Sequence, residues 1–257
     1  SNIKIDVPNR EHQDKVASFL VAIDKKIELN NKINKELEAM AKLIYDYWFV
    51  QFDFPINNGK PYKSSGGKMV YNELLKREIP DGWEVNSFGK YFSVKKGELI
   101  TKDTIQEGFV KVVAAGLSFS YLHSTPNYKK NTITVSSSGA SAGFVNFWRE
   151  PIFASDCITV RGLTDTDTLF ALHYLKLIQQ YIFRQAIGSA QPHVYPDDIS
   201  GLKYLEIPKK LIEEFGNMTL SLNEKISINI AENENLIALR DWLLPMLMNG
   251  QVTFNDS

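Results

Sequence analysis

Cysteine is nearly absent. The chain has one, Cys157, so no disulfide can close within it. Cys157 lies in an apolar run, Ile152 to Val160, that reads as a buried strand, which fits core packing in a reducing cytoplasm. Histidine is scarce as well: His12, His123, His173 and His193 form no close pair, so no cluster has metal-ligand spacing. Asp156 has no histidine at a spacing that would make Cys157 a nucleophile. No Gly-Lys-Ser/Thr sequence follows Ser136-Ser137-Ser138-Gly139, which removes the usual nucleotide cradle. No apolar run approaches the ~20 residues a bilayer requires, and no signal peptide opens the chain. The expectation is a cytoplasmic protein with no membrane contact and no cofactor of its own. An excess of charge is missing too: 29 Lys and Arg stand against 30 Asp and Glu, whereas nucleic-acid binders are usually basic.

What the chain does have is an uneven distribution of that charge. Phe88 to Ser136 holds 7 Lys and 3 acidic residues, a balance of +4, while Ile207 to Gly250 holds 4 basic and 6 acidic residues, a balance of -2. The first stretch suits phosphate and the second suits protein. At 44% hydrophobic residues, there is enough apolar material for an ordinary core.

An internal repeat organises the rest. Val16, Leu20, Ile23, Ile27, Asn30, Asn34, Leu37, Ala41, Ile44 and Trp48 follow alternating steps of four and three, a heptad seam. The same spacing returns at Phe215, Thr219, Leu222, Ile226, Asn229, Asn233, Leu236, Arg240, Leu243 and Leu247, with both asparagines in the same places. Each seam follows an alternating segment that ends in proline, Ile3 to Pro8 and Leu202 to Pro208. In an antiparallel coiled coil, a positions face d positions, so Asn30 would meet Asn233 and Asn34 would meet Asn229. A solvated face would also accept these asparagines. Pro245 should kink or end the second helix near Leu244. The first helix should run from Val16 to Trp48.

Between the seams, Gln51 to Asp81 is rich in Pro, Gly, Asn and Ser and reads as a connector, with a short helical turn over Val70 to Arg77. Trp83 to Ile207 alternates short β-rich segments with turns: Trp83 to Val85, Phe92 to Lys95, Phe109 to Ala114, Thr132 to Ser136, Phe144 to Trp148, Ile152 to Phe153 and Cys157 to Val160. A helix from Thr168 to Ala186 follows. The fold class is α+β: one mixed α/β domain flanked by two long helices that form an antiparallel coiled coil. Its divisions are 1-8, a terminal strand; 9-49, the first helix; 50-81, the connector; 82-207, the domain; 208-250, the second helix; and 251-257, a tail.

Several residues could touch nucleic acid. Ser136, Ser137 and Ser138 before Gly139 suit a turn that approaches backbone or base edges, and a plain structural turn fits them equally well. Lys95, Lys96, Lys129 and Lys130 are candidate phosphate contacts as a group, although any one of them could be an idle solvated charge. Gln191 can pair with adenine and His193 with guanine or phosphate, or else Gln191 caps loop backbone and His193 is half buried. Arg184 and Tyr195 flank that loop.

Three stretches carry a family resemblance. Gly82-Trp83-Glu84-Val85 leading to Val94-Lys95-Lys96-Gly97 looks like the opening of a target recognition domain. Val135-Ser136-Ser137-Ser138-Gly139-Ala140, then Gly143-Phe144-Val145 and Ser155-Asp156-Cys157-Ile158, looks like its central strands. Gly188-Ser189-Ala190-Gln191-Pro192-His193-Val194, then Asp198-Ile199, Leu202 and Ile207-Pro208, resembles its closing segment. With the repeated helices, the chain is similar to the specificity subunits of type I restriction-modification systems. Complete members have two recognition domains, so this chain resembles the second half of one, residues 3 to 8 looking like the end of an absent first domain. The resemblance implies a non-catalytic subunit that reads one half of a split double-stranded DNA target. It also implies docking to a methyltransferase (modification) subunit and, in the full complex, a restriction subunit. S-adenosylmethionine and ATP would then sit on those partners, and no Asn-Pro-Pro-aromatic methyltransferase motif is present here. A short form could pair with a copy of itself. The specificity tail of a fused restriction-modification enzyme and a coiled-coil protein-binding adaptor are the other readings.

Overall fold

The computed structural model describes residues 9–56, 59–101, 104–186 and 192–248. The chain divides into two compact units, Ser1–Met40 with Ser221–Ser257, and Ala41–Leu220. The expected terminal strand and tail lie outside the described residues. No helix of the described residues is long and apolar enough to cross a membrane.

The first unit is a pair of helices taken from α1 (Arg10–Tyr45) and α5 (Lys209–Met248). α1 starts earlier than the heptad pattern indicated because Asn9 caps it, its Oδ1 accepting from the His12 amide at 2.9 Å. Along both helices the seam residues are shielded: Val16, Leu20, Ile23, Ile27, Asn30, Asn34 and Leu37 on α1, and Leu222, Ile226, Asn229, Asn233, Leu236, Arg240, Leu243 and Leu247 on α5. The helices run antiparallel, since Arg240 reaches Asp24, Asn233 reaches Asn30 and Asn229 reaches Asn34. The two asparagine pairs are those the heptad register requires. Asn30 Nδ2 donates to Asn233 Oδ1 and Asn229 Nδ2 to Asn34 Oδ1, both at 2.8 Å. Asn233 Nδ2 donates onward to Asn31 Oδ1 at 2.9 Å. Pro245 does not end α5, which continues to Met248. The proline removes one backbone donor, and burial of Leu247 beyond it favours keeping the helix.

The second unit is the mixed α/β domain. After α1 comes a five-residue π turn, Asp46–Val50. The hairpin β1 (Met69–Asn72) and β2 (Arg77–Pro80) follows where a helical turn was expected. Asn72 is the cause: its Oδ1 accepts from the amides of Leu74 and Leu75, an Asx turn, and Lys76 completes the reversal at φ +52. The described part of the connector is anchored, because Phe52, Phe54 and Ile79 are buried in the main core.

The main sheet has the order β4-β10-β7-β8, all antiparallel, formed by Ser93–Lys96, Cys157–Arg161, Thr132–Ser136 and Val145–Trp148. Its register places Val94, Ile133, Val135, Ile158 and Val160 on one face, which packs with Phe170 and Leu175 of α2 (Asp165–Leu177). The other face is polar but buried, through Thr132, Thr134, Ser136 and Thr159. Trp148 Nε1 donates to Thr134 Oγ1 at 2.8 Å and Thr159 Oγ1 bonds the Tyr128 hydroxyl at 3.0 Å. A smaller sheet, β6-β5-β9, joins Tyr121–His123, Val110–Val113 and Ile152–Ala154, with β5 and β9 parallel. Two strands, β3 (Val85–Ser87) and β11 (Lys203–Leu205), bring the domain's beginning and end together.

The helix expected over Thr168 to Ala186 is two helices. α2 begins at Asp165 because Thr164 and Asp167 form a capping box, and it stops at Ile178. α3 (Gln179–Ala186) then restarts, with Gln179 turned to the sheet: its Nε2 donates to Gly143 O at 2.6 Å and its Oε1 accepts from Val145 N at 2.9 Å. The short α4 (Pro196–Ser200) precedes β11.

In the core of this unit, His173 stacks on Tyr45 and meets the edge of Phe215, ring centres 5.6 and 5.5 Å away. Burial there lowers its pKa from 6.5 to about 4, with Lys176 acting in the same direction. The folded state therefore holds His173 neutral while the unfolded chain protonates it below pH 6.5. Stability is full above pH 6.5 and falls from there to about pH 4, by up to roughly 2 kcal/mol for a partly shielded ring. In urea titrations at pH 7 and 4.5, His173→Phe is expected to lose less stability on acidification than the parent chain. An unchanged difference between the two pH values would contradict this account.

Candidate nucleic-acid interface

The two segments expected to touch DNA meet in space. At the end of β7, Ser138 forms an antiparallel bridge with His193. Val194 N donates to Ser137 O at 2.9 Å, and Gly139 N to Pro192 O at 3.2 Å. Gly139 turns at φ +73, a conformation that favours glycine, and a Cβ there would meet nothing within 4 Å, so the turn opens to solvent. His193 is exposed and stacks with Tyr195, ring centres 6.1 Å apart; Tyr195 is 62% exposed. Arg184 is exposed on α3, which Gln179 holds against the β7–β8 turn. Gln191 lies outside the described residues.

The three serines divide. Ser136 is buried and its hydroxyl has no partner, whereas Ser137 Oγ donates to Asp156 O at 2.9 Å. Ser138 alone is partly open to solvent. The lysines divide as well. Lys95 and Lys96 are exposed on the edge strand β4, where Lys96 aligns with Ile158 and Val135 and Lys95 with Thr159 and Thr134. Strand alternation sends their side chains to opposite faces. Lys129 and Lys130 are exposed before β7, at the end of that strand away from Ser138. The structure does not gather all four lysines around His193.

Arg161 fixes the Lys129-Lys130 turn. Its Nη1 donates to Lys130 O at 2.9 Å, Asn131 O at 3.0 Å and Thr132 Oγ1 at 2.7 Å, and its Nη2 to Asp165 Oδ1 at 3.0 Å. Asn131 sits at φ +60 within this turn.

Sequence reasoning passed over the apolar side chains between β4 and β6. Leu99, Phe109, Leu117 and Phe119 are all exposed, Phe109 at 94%. Beside Phe109, the Gly108 backbone approaches the end of the next strand closely: a Cβ there would stand 2.4 Å from Ser124 Cα.

Cys157 is a core residue, as its apolar run indicated. It is buried beside Val113, Ile152 and Ala154, and desolvation, with Asp156 adding to it, pushes the thiol up to about 12. A thiol so protonated is no nucleophile at neutral pH. Among the described residues no group of His, Cys, Asp and Glu could hold a metal ion.

Comparison with known proteins agrees with this architecture. A family model described as the type I restriction modification DNA specificity domain matches residues 80–230. The type I restriction enzyme MjaIX specificity subunit of Methanocaldococcus jannaschii is 28% identical over 277 residues, covering 99% of this chain and 62% of the relative. The HindI specificity subunit of Haemophilus influenzae is 22% identical over 98% of this chain and 70% of its own length. The crystal structure of the type I restriction-modification system S subunit from M. genitalium superposes with a TM-score of 0.66 at 20% identity, covering 97% of this chain and 62% of that one, and so shares the fold. The chain thus spans under two thirds of the first of these relatives. The domain match takes in more than half of the residues, and the chain belongs to the type I restriction-modification DNA specificity family, with one recognition domain.

Proposed function

We propose that this chain reads one half of a split double-stranded DNA target and docks a methyltransferase (modification) subunit through its helices, contributing no catalysis itself. The domain over 82-207 supplies recognition, and the helices over 9-49 and 208-250 set spacing and carry the partner. S-adenosylmethionine and ATP are held by the modification and restriction subunits of the cytoplasmic complex. The observation that carries this reading is the exposed bridge between Ser138 and His193. It sets a glycine turn, a hydroxyl, an imidazole and the Tyr195 ring on one surface, groups suited to close contact with base edges and phosphates.

On this reading His193, Tyr195 and Ser138, together with Gln191 of the same loop, discriminate bases, while Lys95, Lys96, Lys129 and Lys130 hold phosphates from more than one side. Substituting His193 or Gln191 with alanine is expected to cost about 1–3 kcal/mol on the cognate duplex and little on random DNA. Substituting a phosphate-contacting lysine should weaken binding to all sequences and lower the salt slope by roughly one per contact. Titrations of the assembled methyltransferase complex against cognate and scrambled duplexes at several salt concentrations separate the two classes. A cognate-to-random ratio unchanged by His193→Ala and Gln191→Ala would make that loop structural. The chain with S-adenosylmethionine alone is expected to transfer no methyl group to DNA, measured by tritium incorporation. Incorporation by the pure chain would overturn the non-catalytic assignment.

A further inference from the structure

The turn between β9 and β10 carries a carboxylate to the end of the main sheet that holds the Ser138–His193 bridge. Cys157, the first residue of β10, aligns with Ser136, so the same register brings Asp156 to Ser137. Ser137 joins the two features. Its carbonyl oxygen accepts from Val194 N at 2.9 Å, next to His193. Its hydroxyl donates to Asp156 O at 2.9 Å and lies 3.3 Å from Asp156 Oδ1.

The turn does not need the carboxylate. The shorter of the two Ser137 contacts goes to the main-chain oxygen, which any residue at 156 would supply. Asp156 is exposed while Ser137 is buried, so a fixed donor orients one carboxylate oxygen and the other is left to the surface. Asp156 forms no ion pair among the described residues. Strand alternation sends the Ser137 and Ser138 side chains to opposite faces, so the carboxylate lies on the Ser137 side of the sheet end. A duplex lying across that end would offer it a different base pair from the one met at Ser138.

The sign of the charge decides what such a group can meet. A carboxylate without a cation is repelled by phosphates, and when ionised it accepts hydrogen bonds and donates none. Close to a duplex it is favourable only where a base supplies the donor. In the major groove those donors are cytosine N4 and adenine N6, whereas guanine O6 and thymine O4 are acceptors.

We propose that Asp156 is a specificity-determining residue, its carboxylate accepting a hydrogen bond from the exocyclic amino group of a cytosine or an adenine in the half-site. Ser137 is its positioning residue. The inference rests on the DNA-reading function proposed above and adds to it a contact that selects against keto bases.

The test selects duplexes from a randomised pool with the assembled methyltransferase complex, built on the parent chain or on Asp156→Ala. The parent is expected to demand cytosine or adenine at a position where Asp156→Ala accepts any base pair. On the selected duplex Asp156→Ala should bind at least about fivefold more weakly than the parent. On scrambled duplex it should bind no more weakly, because a charge repelled by phosphate is gone. Asp156→Asn, which keeps the size and can also donate, should admit guanine or thymine at that position. The amino group is then deleted from the duplex, with purine in place of adenine or pyrimidin-2-one in place of cytosine. That deletion should cost the parent at least about fivefold and Asp156→Ala less than about twofold, and the analogue that does so identifies the base. A consensus unchanged by Asp156→Ala, amino-group deletion that costs parent and variant alike, or equal losses on selected and scrambled duplexes would each overturn the inference while leaving DNA reading in place. A parent complex that selects no consensus would defeat the DNA reading itself, and this inference with it.

Discussion

Arg161→Ala is expected to cost the recognition unit about 3–5 kcal/mol of unfolding free energy, the range for removing one partner of a shielded ion pair. The guanidinium is 13% exposed and makes five hydrogen bonds, three of them to the consecutive carbonyls of Lys129, Lys130 and Asn131. Truncation takes one donor from the Asn131 carbonyl and one from the buried Thr132 hydroxyl, which still donates to Lys129 O at 2.8 Å, and leaves Asp165 short of a cation. Asn131 Nδ2 still reaches Asp165 Oδ2 at 2.8 Å, which keeps the loss below that of a bare buried carboxylate. Arg161→Lys should recover less than half, because a single ammonium cannot span Asp165 and the turn carbonyls at once. Urea unfolding followed by far-ultraviolet circular dichroism measures both variants. A loss below about 1 kcal/mol would place Arg161 among ordinary surface ion pairs. The structural consequence is local: Lys129 and Lys130 remain in the variant, but the turn that carries them loses the Arg161 bonds to its carbonyls.

The parts of this structure legible from sequence are those where one periodicity has one physical solution. The seam could be read because heptad spacing over ten positions admits little else, and the repeat supplied the second helix from the first. The asparagines went further, since buried amides tolerate only a register in which they meet. Short-range chemistry was harder. Val70 to Arg77 has the composition of a helix, and what overrides it is Asn72, whose side chain binds the amides of Leu74 and Leu75 and starts a hairpin instead. The break at Ile178 was invisible for a different reason. Leu169, Leu172, Leu175 and Ile178 keep a helical period across the break, and the contact that positions the second helix, the Gln179 side chain bonding Gly143 and Val145, joins residues far apart in sequence. Pro245 showed the converse, a strong local breaker outweighed by packing.

The candidate site was legible as residue types and not as a constellation. Ser138 and His193 are far apart in sequence, and only strand β7 and the loop before α4 bring them into a bridge. Nothing in the pattern of three serines distinguished Ser136 and Ser137, which the sheet buries, from Ser138, which it presents. Lysines close in sequence were taken as one group, yet Lys95 and Lys96 alternate across a strand, and Arg161 ties Lys129 and Lys130 to the far end of β7. Charge counting over a window carries no direction, and direction is what a phosphate contact requires.

Asn30→Leu is expected to destabilise the helical unit by about 2–3 kcal/mol, although it adds apolar surface to a coiled-coil seam. Asn30 is 1% exposed; its Nδ2 serves Asn233 and also Glu232 Oε2 at 2.8 Å. Removing it leaves the Asn233 carbonyl oxygen without its donor beside a leucine, at about 1–3 kcal/mol for a buried unpaired group. The Lys26–Glu232 pair at 3.1 Å remains, so the charge on Glu232 is still met. The double variant Asn30→Leu with Asn233→Leu removes both amides and should regain most of the loss, even exceeding the parent in stability. A double-mutant cycle should therefore give a coupling of about 1–3 kcal/mol between these positions. The regained stability should come with loosened register: Asn34 and Asn229 alone would define the alignment, and cysteine cross-links placed at Asp24 and Arg240 should form less selectively. Additive single and double variants would show that the two amides are independently solvated, and the register would then have to be set by the apolar seam alone. If they couple as expected, the paired asparagines trade stability for a fixed alignment of the two helices.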